Sequence, residues 1–144
     1  MSTERLIYLP LGGAGEIGMN AYVYGYGEPG KERLILVDLG VAFPDMDTTP
    51  GVDLIMPDIT WLADRADQLE GIFITHGHED HIGAVAHLYS RLNVQIFARA
   101  FTANLARRKM EERGHDPEKV ITISPYPEKL ELGPFTVSAV PISH

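Results

Sequence analysis

Six consecutive residues, His76-Gly77-His78-Glu79-Asp80-His81, hold three imidazoles with an aspartate among them. Neutral imidazole and carboxylate are the ligands that zinc takes in open, catalytic sites. His76 and His78 are two apart, so in extended backbone both rings lean to the same side. Asp80 falls where a helix N-cap belongs, and His81 lies on the first turn, aimed back at the same point. A polar loop merely rich in histidine is the competing reading, but four ligand-type side chains in six positions argue for a metal site.

The elements around the motif place it at the end of a strand. Gly71-Ile72-Phe73-Ile74-Thr75 is short, β-branched and aromatic, as buried strands are. Ile82, Val85, Ala86, Tyr89 and Leu92 recur at helical spacing, which predicts a helix from Ile82 to Leu92. The motif therefore occupies a strand-to-helix loop at a C-terminal strand end, where α/β sheets put their sites. Upstream, strands are expected at Arg5 to Leu11, Asn20 to Tyr26 and Arg33 to Val37, the last ending at Asp38. Gly40 to Pro57 reads as a long irregular loop, and loops of that length in compact domains tend to be functional. Asp58 to Leu69 predicts a short helix capped by Asp58. Downstream, a strand (Val94 to Ala98) and a helix (Thr102 to Arg113, stopped by Gly114) are followed by strands at Val120 to Ile123, Lys129 to Leu132 and Phe135 to Val140. The order predicts an α/β layered domain.

The chain has 144 residues, 44% of them apolar, enough for one domain with a core. It has no cysteine, so disulfides and thiolate zinc knots are excluded and metal ligation must fall to His, Asp and Glu. The start, Met1 to Arg5, lacks a charged-then-apolar leader. No apolar run approaches the ~20 residues of a membrane span. No membrane contact is expected, and the expected location is cytoplasmic. The net charge of -8 argues against phosphate-backbone binding through the overall field. Two bound divalent cations would locally offset about half of it.

Gly13-Ala14-Gly15-Glu16-Ile17-Gly18 matches G-x-G-x-x-G after a strand, with Asp38 about 20 residues on, as in a dinucleotide-binding turn. Such a turn must open a helix of about ten residues or more. Here Gly25, Gly27, Pro29 and Gly30 interrupt the segment and Asn20 to Tyr26 alternates. A hairpin is expected instead, with no nucleotide cofactor and with glycines that let backbone pass close to the metal pocket.

His76-x-His78-x-Asp80-His81 at a strand-helix junction resembles the signature of the metallo-β-lactamase superfamily, whose fold is an αβ/βα sandwich with two metals between its sheets. Leu11 to Asn20, Asp38-Leu39-Gly40-Val41-Ala42-Phe43-Pro44, Pro50 to Asp53, Pro57-Asp58 and His76 to Ala84 are similar to the ribonuclease J family of the β-CASP group. The resemblance implies that His76 and His78 bind one metal together with His144, and that Asp80 and His81 bind the second. Asp80 and His81 are also its catalytic candidates, and Asp38 would orient a ligand histidine. The metals would be two divalent ions, Zn2+ or alternatively Mn2+. The resemblance further implies a bridging aspartate, a last ligand histidine, a β-CASP insertion and a C-terminal domain, none found in residues 1–144. The chain is thus expected to be the N-terminal portion of the sandwich, truncated on a ligand.

The activity implied is cleavage of RNA, both endonucleolytic and 5′-to-3′ exonucleolytic, in RNA processing and decay, by two-metal hydroxide attack on the phosphodiester. Hydrolysis of a small ester or thioester, as in glyoxalase II relatives, would use the same core motif. A polypeptide that only binds metal is the third reading, expected to turn over RNA poorly. An exposed sheet face in half a sandwich favours self-association, so a homo-oligomer is expected. Among other residues, Glu79 is expected to face solvent or brace the loop, and His87 and His115 to be surface or packing residues. Asp45, Asp47 and Asp53 read as a solvated acidic loop, and Arg107-Arg108-Lys109 as part of a mixed solvated face.

Overall fold

The computed structural model describes residues 3–15, 18–44, 51–52 and 54–141. Strands β1 (Arg5–Gly12), β2 (Ala21–Gly27) and β3 (Arg33–Val37) form an antiparallel meander. Alternation drives it: Ala21, Val23 and Gly25 are buried, while Tyr22, Tyr24 and Tyr26 point to the other face. Strands β4 (Leu69–Phe73), β5 (Ile96–Ala98) and β6 (Val120–Thr122) then add in sequence order, each parallel to its neighbour. Parallel pairing requires crossovers, and helices supply them. The one-turn α1 (Thr60–Ala63) lies between β3 and β4, α2 (Glu79–Ile82) and α3 (Val85–Leu92) between β4 and β5, and α4 (Ala100–Glu112) between β5 and β6.

The helices share a core with one sheet face, where Val23, Leu36, Ile72, Leu62, Ile82, Val85, Ile96 and Met110 are fully buried. On the other face Ile35, Phe73 and Phe97 form a second cluster. It is covered by the hairpin of β7 (Leu130–Leu132) and β8 (Phe135–Val137). Covered on both faces, the central strands read as unbroken apolar runs such as Leu34-Ile35-Leu36. The hairpin reaches only part of that second face. Over β1 and β2, Leu6 (72% exposed) and Tyr8 (54%) lie open, beside Tyr24 and Tyr26. Among the described residues no helix is long and apolar enough to cross a membrane.

Several expectations differ, among them the strand expected at Phe135 to Val140, which ends at Val137, and the one at Val94 to Ala98, which starts at Ile96. The helix expected from Asp58 to Leu69 shrinks to the single turn α1 and a 3-10 turn, Ala66–Gln68. Asp58 is not its cap: Ile59 holds the N-cap position, and Asp58, one residue earlier, accepts through Oδ1 from the Thr60 N–H (2.9 Å) and hydroxyl (2.6 Å). The ladder then tightens, because Arg65 N–H donates to Leu62 rather than Trp61, and Leu69 joins β4. The helix expected over Ile82 to Leu92 starts earlier and divides at Gly83-Ala84, where the Ala84 N–H leaves the helix to reach the Leu39 carbonyl (3.0 Å). Finally, Asp80 is not the N-cap. His78, with extended φ -71 and ψ 147, holds that position, and Asp80 sits inside the first turn.

Candidate metal centre

Two backbone segments, Met19-Asn20 and Leu39 to Val41, tie the histidine motif in place. A one-turn helix leaves most of its carbonyls without intrahelical partners. Here Asn20 N–H donates to Asp80 (3.0 Å) and Leu39 N–H to His81 (2.9 Å), so loops satisfy α2 where a further turn would have, while Val41 N–H (3.0 Å) joins Gly83 N–H (2.8 Å) on the Glu79 carbonyl. The loops also bind each other, Gly40 N–H to Asn20 (2.9 Å) and Met19 N–H to Val41 (3.0 Å). Gly40 is required by this packing: a methyl group there would overlap the Asp80 carbonyl. Gly13 turns at φ +87, where a side chain would strike Asn20 and the Tyr22 hydroxyl. The glycine-rich segment thus joins two antiparallel strands, with no crossover helix after it among the described residues, and Gly13 and Gly18 serve close approach to Asn20 and to Val41-Ala42.

Asp38 is the pivot of the side chains. It is 3% exposed and sits at φ +65, a left-handed conformation that aspartate tolerates better than most residues. Its Oδ1 accepts from the Thr75 N–H (2.7 Å), and its Oδ2 from the Thr75 hydroxyl (2.8 Å) and His81 Nδ1 (2.7 Å). A carboxylate only accepts, so His81 carries its proton on Nδ1 and keeps a lone pair on Nε2. Asn20 fits this state. Its Nδ2 donates to the Asp80 carbonyl (2.8 Å) and lies 3.4 Å from His81 Nε2, while its Oδ1 accepts from Tyr22 (2.8 Å).

His76, Asp80 and His81 converge, each offering one ligand atom within 4.8 Å of the other two. The His76 and His81 ring centroids are 3.7 Å apart, and Asp80 Oδ2 lies 3.7 Å from His81 Nε2. Two imidazoles and a carboxylate in one half-buried group fit a borderline-soft divalent ion. His78 stands edge-on to His76, centroids 5.0 Å apart, and is more exposed. The grouping cuts across the pairing implied by resemblance, in which His76 goes with His78 and Asp80 with His81. His144 and the acidic residues Asp45, Asp47 and Asp53 lie outside the described residues.

Glu79 braces the loop, its Oε1 accepting from Lys109 Nζ on α4 at 2.6 Å. Arg107 also departs from a solvated face. It donates to Asn104, the Val120 carbonyl and the Thr122 hydroxyl, because α4 packs along β6. His87 and His115 are packing residues as expected. Burial, then the charges of Arg113 and Lys109, hold the His87 pKa below its ordinary value, and His115 Nε2 contacts the Ala86 carbonyl (3.0 Å). Sequence reasoning missed Thr75, Asn20 and Tyr22. Only the first had a signal, its place directly before His76.

Comparison with known proteins bears on this site directly. The Metallo-beta-lactamase superfamily matches residues 14–144. The chain belongs to that superfamily. The α/β fold class expected from the motif is therefore borne out. Ribonuclease J of Sinorhizobium meliloti is 48% identical over 141 residues, which cover 98% of this chain and 25% of that protein. Ribonuclease J of Synechocystis sp. is 37% identical over 145 residues, covering 99% of this chain and 22% of the relative. The chain thus spans about a quarter of the length of these relatives. Among solved structures, the peroxy diiron species of chemotaxis sensor ODP aligns with a TM-score of 0.51 and 18% identity, over 88% of this chain and 44% of that one. That likeness speaks to the fold alone.

Proposed function

We propose that this chain forms the metal-holding part of a metal-dependent ribonuclease. The convergence of His76, Asp80 and His81, with Asp38 locking His81, carries the reading. The 48% identity to a ribonuclease J supports RNA as substrate. In this reading His76, His78, Asp80, His81 and His144 are the ligands, Asp80 and His81 also lie nearest the chemistry, and Asp38 holds His81 in the tautomer that ligation needs. Two divalent ions, Zn2+ or Mn2+, would supply water activated near neutral pH and neutralise charge growing on the phosphoryl oxygens. The chain's own part is to present Nε2 of His81 and the Asp80 carboxylate at fixed positions, since α2 is tied to two loops. Both internal and 5′-to-3′ cleavage in RNA processing and decay belong to the proposal, as do a β-CASP domain and a cytoplasmic setting. Self-association through the open Leu6 and Tyr8 face is proposed too.

The test pairs metal content with turnover. Zn2+ and Mn2+ uptake by this chain should fall sharply in His76→Ala and His81→Ala. In a protein of the relatives' full length that carries this chain, the same substitutions should abolish cleavage of 5′-monophosphorylated RNA. Undiminished metal uptake in both variants would remove the ligand assignment. Hydrolysis of a small thioester with RNA left intact would move the activity to the esterase branch.

A further inference from the structure

We infer that Thr75 is a positioning residue that extends the reach of Asp38 from one ligand histidine to two. The inference rests on the metal reading above. The Asp38 carboxylate is buried and only accepts, and the Thr75 hydroxyl lies 2.8 Å from its Oδ2, so the hydroxyl hydrogen is committed to Asp38. That same oxygen lies 3.0 Å from His76 Nδ1. With its hydrogen used, it can only accept there. His76 must therefore donate from Nδ1, which leaves Nε2 as the ring's lone-pair nitrogen. His81 reaches the same state by direct contact with Asp38 at 2.7 Å. One carboxylate thus sets the tautomers of both imidazoles in the cluster, one directly and one through a hydroxyl.

The position of Thr75 supports this role beyond side-chain contact. Its own N–H donates to Asp38 Oδ1 at 2.7 Å, so its backbone and hydroxyl clasp both carboxylate oxygens. A residue adjacent to His76 that is fixed at two points holds Oγ1 where ring rotation of His76 brings Nδ1 to it. Fixing the tautomer removes the step in which a histidine must shift its proton before it can ligate.

The test compares Thr75→Val, which keeps the β-branched shape without the hydroxyl, with Thr75→Ser, which keeps the hydroxyl. Ring-nitrogen NMR on the metal-free, 15N-labelled chain, above the histidine titration range, reports each tautomer directly. The wild type and Thr75→Ser should show the Nδ1–H form at His76. Thr75→Val should lose that preference at His76 while His81 keeps it, and its Zn2+ affinity should fall about 10–100-fold. A wild-type tautomer at His76 in Thr75→Val, or Thr75→Ser behaving like Thr75→Val, would overturn the relay. Failure of the metal reading is separate and visible: the wild-type chain would then take up neither Zn2+ nor Mn2+, while the tautomer comparison still decides the role of Thr75.

Discussion

Replacing Asp38 by Asn tests whether the buried carboxylate acts through charge and acceptor geometry. Asn matches its volume and tolerates φ +65, so the backbone should stay in place. It offers one acceptor oxygen where the carboxylate offers two. The Thr75 N–H cannot reorient, so the amide oxygen must take the place of Oδ1 and the NH2 group that of Oδ2. The NH2 then faces two donors, the Thr75 hydroxyl and His81 Nδ1–H. The hydroxyl can rotate, but His81 can accept only by moving its proton to Nε2, the nitrogen needed for the metal. Three charge-assisted bonds become neutral ones, each weaker by about 1 kcal/mol. Thr75 is exposed and His81 half-buried, so water recovers part, leaving a loss of about 2 kcal/mol, or about 4–8 °C in Tm for a chain of this size. Zn2+ affinity should fall about 10–100-fold, more than the stability loss alone implies. Thermal unfolding with chelator competition measures both. Wild-type Zn2+ affinity in Asp38→Asn, or His81 still protonated on Nδ1, would refute the reasoning. Asp38→Ala should cost more stability, adding about 1–2 kcal/mol of left-handed backbone strain.

Gly40→Ala should destabilise the chain by about 3 kcal/mol, since the methyl overlaps the Asp80 carbonyl and parts the flanking Leu39–His81 and Val41–Glu79 bonds. Chemical denaturation checks it, and an unchanged midpoint would show that the loops can separate freely. Glu32 governs part of the acid limb of stability. Hydrogen bonding to its own backbone N–H, with help from Arg5, outweighs burial and holds its carboxyl below the ordinary range. A depressed native pKa gives stability that is complete above the ordinary carboxylate value of about 4.3 and lost as pH falls through the native one. The Tm gap between wild type and Glu32→Gln should therefore be constant near neutrality and close at acid pH; a gap independent of pH would contradict this.

Much of the sheet was legible because its signals are local. Alternation marked β2 and a short apolar run marked β4, and all four of the first strands were placed to within about two residues. The metal motif was legible because ligand chemistry and spacing coincide in six positions. Helix limits near the site were not legible. The break at Gly83-Ala84 exists because Leu39, more than forty positions upstream, offers the carbonyl that Ala84 takes. The N-cap was misplaced for a similar reason: α2 is stabilised by loop N–H groups at its carbonyls, and no side-chain cap is used. Asn20 and Tyr22 could not be seen as site residues, since Asn20 meets Asp80 and His81 only after the meander and the crossover have formed, and Tyr22 acts through Asn20.

The dependence of the site on the core can be argued from one strand pair. β3 and β4 run parallel with Leu36 opposite Ile72 and Val37 opposite Phe73. The Asp38 N–H extends the ladder by one bond to the Phe73 carbonyl (2.7 Å), and only then does the chain turn. This register brings the Asp38 carboxylate to Thr75. A slip of one residue would turn every side chain of β4 to the opposite face. Ile72 would leave the helix-side core and Phe73 the hairpin-side cluster, both now buried, and Thr75 would no longer face Asp38. Each large apolar side chain so displaced costs about 1.5–3 kcal/mol, so the two together match or exceed the ~2 kcal/mol assigned to the Asp38 bonds. Apolar burial on the two faces of the sheet therefore fixes the register, and the hydrogen bonds that set the histidine tautomers follow from it.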